Sequence, residues 1–138
     1  MVTRVLLTKY LTCILATITL TSAETFITKN TTWSNDITLS ESIIIQKNIT
    51  LTIKEGVNIS IENVDLNNDD HGDIEISVLG SINIEGSHEN MVSIKPIQYS
   101  LEKNYWSGVT IHESNIPSSI EFLEISNAQT GLHIRSGF

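Results

Sequence analysis

The stretch Ile49–Ile59 reads ITLTIKEGVNI, and Ile74–Ile84 reads IEISVLGSINI. The two segments align without a gap, and apolar residues alternate with polar ones in both. A repeat of this length with internal alternation is typical of stacked β-strand coils. The aliphatic residues that this alignment predicts to stack are Ile49 with Ile74, Leu51 with Ile76, Ile53 with Val78, Val57 with Ile82 and Ile59 with Ile84.

A second repeat lies further along the chain. Gly108–Ser114 (GVTIHES) recurs as Gly131–Gly137 (GLHIRSG). Polar positions of the first repeat also match, and Asn58 over Asn83 predicts an outward ladder of amides between neighbouring strands. Because β-branched isoleucine dominates and no stretch after Ala23 keeps a helical period, we expect an all-β domain without α-helix.

Two all-β architectures accommodate short alternating strands: an antiparallel sandwich with hairpins and a parallel β-helix. The two-residue hairpin signals Asn-Gly and Asp-Gly are absent from the sequence. The apolar positions, which would point inward, and the polar positions, which would point outward, both repeat at the same spacing along the chain. This favours a coil, because equivalent strands of successive coils stack on one another. The sequence therefore predicts a right-handed parallel β-helix of about four coils. The expected coils are a partial first turn at Ile37–Ile45, then Ile49–Asp73, Ile74–Ser100, Leu101–Ile125 with an inserted loop at Leu101–Tyr105, and an unfinished coil from Gly131.

The segment 1–23 has the pattern of a secretory signal peptide. Arg4 and Lys9 precede the apolar stretch Leu11–Leu20, and small residues end at Ala23. The alternative is an uncleaved signal anchor. Cleavage would leave one domain, residues 24–138, without a cysteine, because Cys13 lies in the leader. We therefore expect a secreted, extracellular or cell-surface protein that is stabilised by its core and not by disulfides.

The charge balance restricts the possible partners. The full chain carries 8 Lys and Arg against 16 Asp and Glu. Without the leader's two basic residues the net charge falls from −8 to −10. Nucleic-acid binding requires clustered basic residues, so nucleic acid is not an expected partner. The expected partners are a polysaccharide or a cell-surface protein.

Three N-glycosylation sequons begin at Asn30, Asn48 and Asn58. With this many asparagines, serines and threonines, roughly two or three sequons arise by chance. They agree with a eukaryotic secretory route and predict a glycoprotein.

The motifs of the chain resemble, in order, the opening coils of the pectin-lyase-like superfamily of right-handed parallel β-helix proteins. The resemblance covers about Trp33 to Ile134. It implies core aliphatic residues and corner glycines, and it transfers no catalytic residue. The superfamily includes lyases, hydrolases, adhesins and tailspikes, so the resemblance implies a fold more strongly than an activity. The segments that carry it are Leu51–Val57, Gly80–Gly86, Val92–Ile94, Trp106–Val109 and Ile125–Leu132.

One acidic segment is a candidate calcium site, because hard oxygen ligands crowded in a loop suit Ca²⁺. The EF-hand pattern does not fit, since Asp70 stands where that loop has glycine. The alternative is a solvated acidic loop at a corner between coils. The candidate ligands are Asp65, Asn67, Asp69, Asp70 and Asp73.

Catalytic residues are harder to find in the sequence. Lyases of the superfamily use a basic residue as proton abstractor, and this chain offers Lys54, Lys95, Lys103 and Arg135. None of the four falls in an acid–base cluster on matched coil positions. The paired aspartates that hydrolases need occur only in the acidic segment. We therefore expect no catalytic site and no obligatory cofactor.

Histidines and tryptophans offer two further possibilities. His112 and His133 are expected to point outward one coil apart, but two positions out of register, so surface histidines are favoured over a shared metal. Trp106 and Trp33 could stack on sugars. The family resemblance instead implies that Trp106 anchors a strand at a corner.

The functional hypothesis is a secreted scaffold, or an adhesion or glycan-contact module, without its own catalytic site. The alternative is the N-terminal fragment of a polysaccharide lyase or glycoside hydrolase. Because the sequence stops just after a strand, with no polar terminal turn, we expect the edge to pair with further coils or another subunit.

Overall fold

A computed structural model describes residues 23–98 and 104–136 of the chain. The described residues form thirteen strands and no helix, so no helix among them is long and apolar enough to cross a membrane. In chain order the strands are β1 (Glu24–Ile27), β2 (Thr31–Trp33), β3 (Ile37–Leu39), β4 (Ser42–Ile45), β5 (Thr50–Lys54), β6 (Asn58–Ile61), β7 (Glu75–Val78), β8 (Ser81–Glu85), β9 (Val92–Pro96), β10 (Gly108–Ile111), β11 (Ser119–Glu121), β12 (Leu123–Ile125) and β13 (Leu132–Ile134).

The strands form three sheets, and every pairing between neighbours is parallel. Sheet A has the order β1-β4-β7-β10-β13, sheet B the order β2-β5-β8-β11, and sheet C the order β3-β6-β9-β12. Each strand thus pairs with the third strand after it along the chain. This winding is a parallel β-helix of four three-stranded coils, with β13 opening a fifth. The predicted fold class is confirmed, and the alternative antiparallel sandwich is wrong.

The core is built from the alternating aliphatic residues. Leu51 and Ile53 on β5 lie inside and are fully buried, as are their partners Ile82 and Ile84 on β8. Among the described residues, no buried side-chain polar atom lacks a hydrogen-bond partner. Three walls of half-buried strands therefore enclose one apolar interior and turn polar residues to solvent.

The register predicted from the repeat of Ile49–Ile59 in Ile74–Ile84 is wrong. Leu51 pairs with Ile82, and Ile59 pairs with Ile94. Both pairs are further apart along the chain than the repeat predicts, because the loops that join the strands lie between them. Ile49 does not stack on Ile74, because its carbonyl accepts the Ser81 N–H at 2.9 Å. The sequence alignment compared β5 of sheet B with β7 of sheet A, and strands of different sheets have the same alternation.

The amide ladder predicted from that register is also wrong. Asn58 pairs with Ser93, whereas Asn83 pairs with Thr52 in the neighbouring coil. The Ser93 hydroxyl donates to Asn58 Oδ1 at 2.7 Å. A serine-to-amide hydrogen bond therefore links β9 to β6 where the sequence suggested two stacked asparagines.

The coil boundaries are partly as predicted. The segment Ile37–Ile45 is not a partial first turn, because a complete coil runs from Glu24 to Leu39 and the next begins at Ser42. The second repeat, of Gly108–Ser114 in Gly131–Gly137, gives the correct register, since Val109 pairs with Leu132. Residues 1–22 of the predicted signal peptide and residues 101–103 of the predicted loop Leu101–Tyr105 lie outside the described residues.

Candidate functional site

A groove of about 460 Å³ lies over the outer face of sheet A. The floor is formed by outward-facing residues of successive coils, which parallel pairing aligns in rows. The Ser42 hydroxyl accepts the Glu75 N–H at 3.1 Å, and Ser77 Oγ lies 3.1 Å from Nε2 of His112. The lining residues are Glu24, Ser42, Ile44, Leu66, Asn67, Asp73, Glu75 and Ser77.

One wall of this groove belongs to the loop of residues 62–74, which joins β6 to β7. Asp65 shapes the loop, because its carboxylate accepts the N–H groups of Asn68 at 2.7 Å, Asp69 at 3.3 Å and Asp70 at 3.0 Å. Asn68 and Asp70 have φ values of 59° and 67°. Asn and Asp tolerate this left-handed conformation better than other side chains.

The end of the same loop is fixed to the next coil. The Asp73 carboxylate accepts the Leu66 N–H at 2.7 Å, which closes the loop on itself. The Gly72 N–H donates to the Asn104 carbonyl at 3.0 Å. A Cβ on Gly72 would lie 1.7 Å from the Tyr105 carbonyl oxygen, so only glycine allows this approach. The groove wall is therefore held by backbone contacts at its end and by carboxylates within it.

The candidate calcium ligands occupy this loop, at the predicted corner between coils. The oxygens of Asp65 accept backbone N–H groups of the loop, and Asp69 accepts the His71 N–H at 2.9 Å and Asn67 Nδ2 at 3.1 Å. Across residues 23–98 and 104–136, no three or more His, Cys, Asp or Glu residues are grouped to hold a metal. The carboxylates shape the loop, and calcium binding by Asp65, Asn67, Asp69, Asp70 and Asp73 stays a prediction.

The candidate proton abstractors do not converge. Lys54 lies on the outer face of sheet B, where its Nζ is 2.5 Å from the Glu85 carboxylate. Lys95 is exposed on β9 of sheet C, and Arg135 follows β13 of sheet A. Lys103 lies outside the described residues. The three described bases thus lie on three different faces, and none of them lines the groove on sheet A.

The histidines are separated as the sequence predicted. His133 pairs with Thr110 in sheet A, so it is two positions out of register with His112. His88 lies at another corner, where its ring meets that of Phe122 edge to face with centroids 6.4 Å apart. His71 lies in the loop of residues 62–74.

Trp106 anchors a corner between coils. Its side chain is fully buried, and Nε1 donates to the Ser126 carbonyl at 3.0 Å. It therefore has no exposed face for stacking on a sugar, and the interpretation as an anchor is confirmed. Trp33 on β2 is half-buried and packs against the core.

Phe122 is a surface residue that sequence reasoning missed. The run SIEFLEI has the pattern of one strand, but the structure divides it into β11 and β12 at Phe122, whose φ is 47°. The Phe122 side chain is 49% exposed. A bulky residue with positive φ is uncommon. The only hint in the sequence is that Phe122 and Leu123 are adjacent apolar residues, so the alternation that Ile120 and Phe122 follow is interrupted at Leu123.

A second, apolar groove of about 610 Å³ lies beside β13. Ile134 faces the interior in register with Ile111, yet it is 65% exposed against 9% for Ile111. The difference arises because no described strand covers the far side of β13. In a middle coil the inward-facing aliphatic side chains belong to the core. On β13 they line an open surface instead.

The chain was compared with protein-family models, with curated proteins and with solved structures, and none of the three comparisons gave a match. The interpretation of its function therefore depends on the fold and on the surfaces described above.

Proposed function

We propose that this protein is an extracellular β-helix scaffold whose sheet A groove contacts a polysaccharide, without catalysing its cleavage. The observation that carries this proposal is the groove itself, because it combines hydroxyl and carboxylate groups with the apolar side chains of Ile44 and Leu66. Carboxylates accept hydrogen bonds from sugar hydroxyls, serine hydroxyls both donate and accept them, and apolar side chains pack against sugar C–H groups.

The charge of the groove selects among polysaccharides. Glu24, Asp73 and Glu75 line it, and no Lys or Arg is among the lining residues in the part of the chain that the structure describes. A uronate polymer would place its carboxylates beside these three and be repelled. The proposed ligand is therefore a neutral polysaccharide, which separates this function from that of lyases acting on pectate or alginate.

Binding to immobilised neutral glucans and mannans tests the proposal, with polygalacturonate as the uronate comparison. Glu75→Ala removes one charged acceptor from the groove and should weaken binding roughly 10- to 150-fold, because hydrogen bonds to charged groups contribute about 1.5–3 kcal/mol. Thr52→Ala, on the outer face of sheet B, is the matched control and should leave affinity unchanged. Failure to bind any neutral polysaccharide, or equal binding by both variants, would refute it.

The alternative function, a lyase or hydrolase fragment, has its own test. Polygalacturonate or alginate is incubated with the protein and Ca²⁺. Ultraviolet absorbance reports the unsaturated product of a lyase, and new reducing ends report hydrolysis. Product that disappears on mutating Lys95 or Arg135 would favour the enzyme over the scaffold.

We also propose that the chain belongs to the pectin-lyase-like superfamily and is exported after cleavage behind Ala23. The three parallel sheets support the first proposal. The second is supported by the start of β1 at Glu24, directly after the expected cleavage position. N-terminal sequencing of the secreted protein tests the cleavage, since Glu24 should be the first residue.

The exposed edge of β13 supports a further part of the proposal, in which an added parallel strand covers Leu132 and Ile134. Such a strand would come from further coils or from another subunit. If it comes from a second copy, sedimentation velocity should show association that increases with concentration. Ile134→Lys should abolish that association by placing a charge in the apolar contact.

A further inference from the structure

The three sequons fall in two different environments. Asn30 precedes β2 and Asn48 precedes β5, so both lie at the corner between sheets A and B, in consecutive coils. Asn58 instead begins β6 within sheet C. This difference matters because glycan attachment demands space at one atom of the side chain.

An N-glycan is attached through the asparagine amide nitrogen. Nδ2 forms a bond to C1 of the first sugar and loses one proton, and the diphosphate of a lipid-linked oligosaccharide donor leaves from C1. The product keeps the Oδ1 carbonyl and a single N–H. A folded protein therefore tolerates the glycan where Oδ1 alone is used and Nδ2 faces solvent.

Asn58 does not meet this condition. Its Nδ2 donates to Asp36 Oδ1 and to the Gly56 carbonyl, both at 3.3 Å, while its Oδ1 accepts the Ser93 hydroxyl at 2.7 Å. The side chain is half-buried between neighbouring coils. A sugar on Nδ2 would replace one of these hydrogen bonds and would be pressed against the Asp36 carboxylate or the Gly56 carbonyl.

Asn48 has the space that a glycan requires. It has a φ of 65° at the tip of the turn between β4 and β5, where the Ile49 N–H donates to the Gln46 carbonyl at 3.1 Å. Its side chain is exposed. The adjoining cleft of about 290 Å³ is lined partly by Lys47 and Glu113, whose polar groups can contact the first sugar.

Asn30 meets the condition in a different way. It is exposed, and its Oδ1 accepts the Thr50 N–H at 2.9 Å. That hydrogen bond uses the oxygen which the glycosylated side chain retains. It also fixes the side chain so that attachment does not disturb the corner.

We propose that the folded, exported protein carries N-glycans on Asn30 and Asn48 and none on Asn58. The proposal depends on the export proposed above, taken through a eukaryotic secretory route, but not on polysaccharide binding. Both glycans would project from the corner between sheets A and B at the first two coils. Sheet C would carry no glycan.

The test expresses residues 24–138 behind a foreign cleavable signal sequence in eukaryotic cells, so that a failure of the native leader does not affect the result. The secreted protein is deglycosylated enzymatically in ¹⁸O water and analysed by mass spectrometry. We expect ¹⁸O-labelled aspartate at positions 30 and 48 and unmodified asparagine at 58. Any other pattern in the wild-type protein, including no glycan at all, overturns the proposal.

Single variants check the assignment on gels. Asn30→Gln and Asn48→Gln should each remove one glycan from the apparent mass, whereas Asn58→Gln should remove none. Polysaccharide binding is measured separately on the same samples, so a failure of the proposed function and a failure of this inference are distinguishable.

Discussion

At the scale of single residues, close backbone contacts decide which corners tolerate a side chain. Gly80 lies against the turn of the preceding coil, and a Cβ there would be 2.2 Å from the Ile49 carbonyl oxygen and 2.3 Å from that of Gln46. Gly56 has a φ of +74°, but its nearest contact to an added Cβ is 3.7 Å away, at Asn90. The two glycines are therefore required for different reasons.

Gly80→Ala should lower the free energy of unfolding by about 3 kcal/mol, because two backbone carbonyls must move. Gly56→Ala should cost only about 1–2 kcal/mol, the strain of a left-handed alanine. Urea unfolding followed by circular dichroism measures both. Equal losses of unfolding free energy in the two variants would mean that the coils do not approach each other as closely as described.

Trp106 and Asn58 show how far residue-level prediction reaches. The burial of Trp106 agrees with what the family resemblance implies, an anchor at a strand edge. The partners of Asn58 were not predictable, because Asp36 and Ser93 lie 22 and 35 positions away and depend on the coil register. Local patterns define burial, whereas hydrogen-bond partners depend on long-range pairing.

At the scale of elements, the core contacts of sheet B contribute more to the free energy of unfolding than its surface contacts do. Ile82 on β8 is fully buried opposite Leu51, whereas the Lys54–Glu85 ion pair next to it has side chains 48% exposed. Removing buried methyl groups from the core is energetically costly, but water screens an exposed ion pair.

Ile82→Ala should therefore lower the free energy of unfolding by about 2–5 kcal/mol. Lys54→Ala should change it by at most about 1 kcal/mol. Denaturant titration of the two variants compares these contributions within one pair of strands. A larger loss from Lys54→Ala than from Ile82→Ala would contradict the described burial.

The loop of residues 62–74 makes a local prediction. Asp65→Ala removes the acceptor of three backbone N–H groups, so the amides of Asn68, Asp69 and Asp70 should exchange with deuterium faster. The midpoint of global unfolding should hardly move, because the loop lies outside the sheets. Asn63→Ala, at an exposed position of the same loop, should leave the exchange unchanged. Exchange that stays slow in Asp65→Ala would show that another group shapes the loop.

The strands were predictable as elements and their register was not. Alternation of isoleucine with polar residues identifies each strand as half-buried, whichever sheet it belongs to. The alignment of Ile49–Ile59 with Ile74–Ile84 therefore matched β5 to β7, although β5 pairs with β8. The repeat starting at Gly108 and Gly131 gave the correct pairing, because it aligned two strands of the same sheet, with Gly108 at the start of β10 and Gly131 directly before β13.

At the scale of the whole molecule, uneven coil lengths explain both the incorrect register predicted from the first repeat and the position of the groove on sheet A. Thr31 pairs with Leu51, whereas Leu51 pairs with Ile82, so a longer stretch of chain separates the second pair. The loop of residues 62–74 lies within that longer stretch, and it forms one wall of the sheet A groove. The site could not be located from the sequence, because its residues meet only through the winding of the chain.

The most direct test of the parallel winding is a pair of cysteine cross-links. The chain from Glu24 onward has no cysteine, so Lys54→Cys with Glu85→Cys introduces two outward thiols on directly paired strands. Neighbouring strands lie about 4.8 Å apart, within the range of Cα separations that a disulfide requires. Thr52→Cys with Ser77→Cys instead joins two positions that the sequence repeat aligns but that lie on different sheets. We predict that mild oxidation closes a disulfide in the first variant and not in the second, and closure in the second alone would contradict the winding described here.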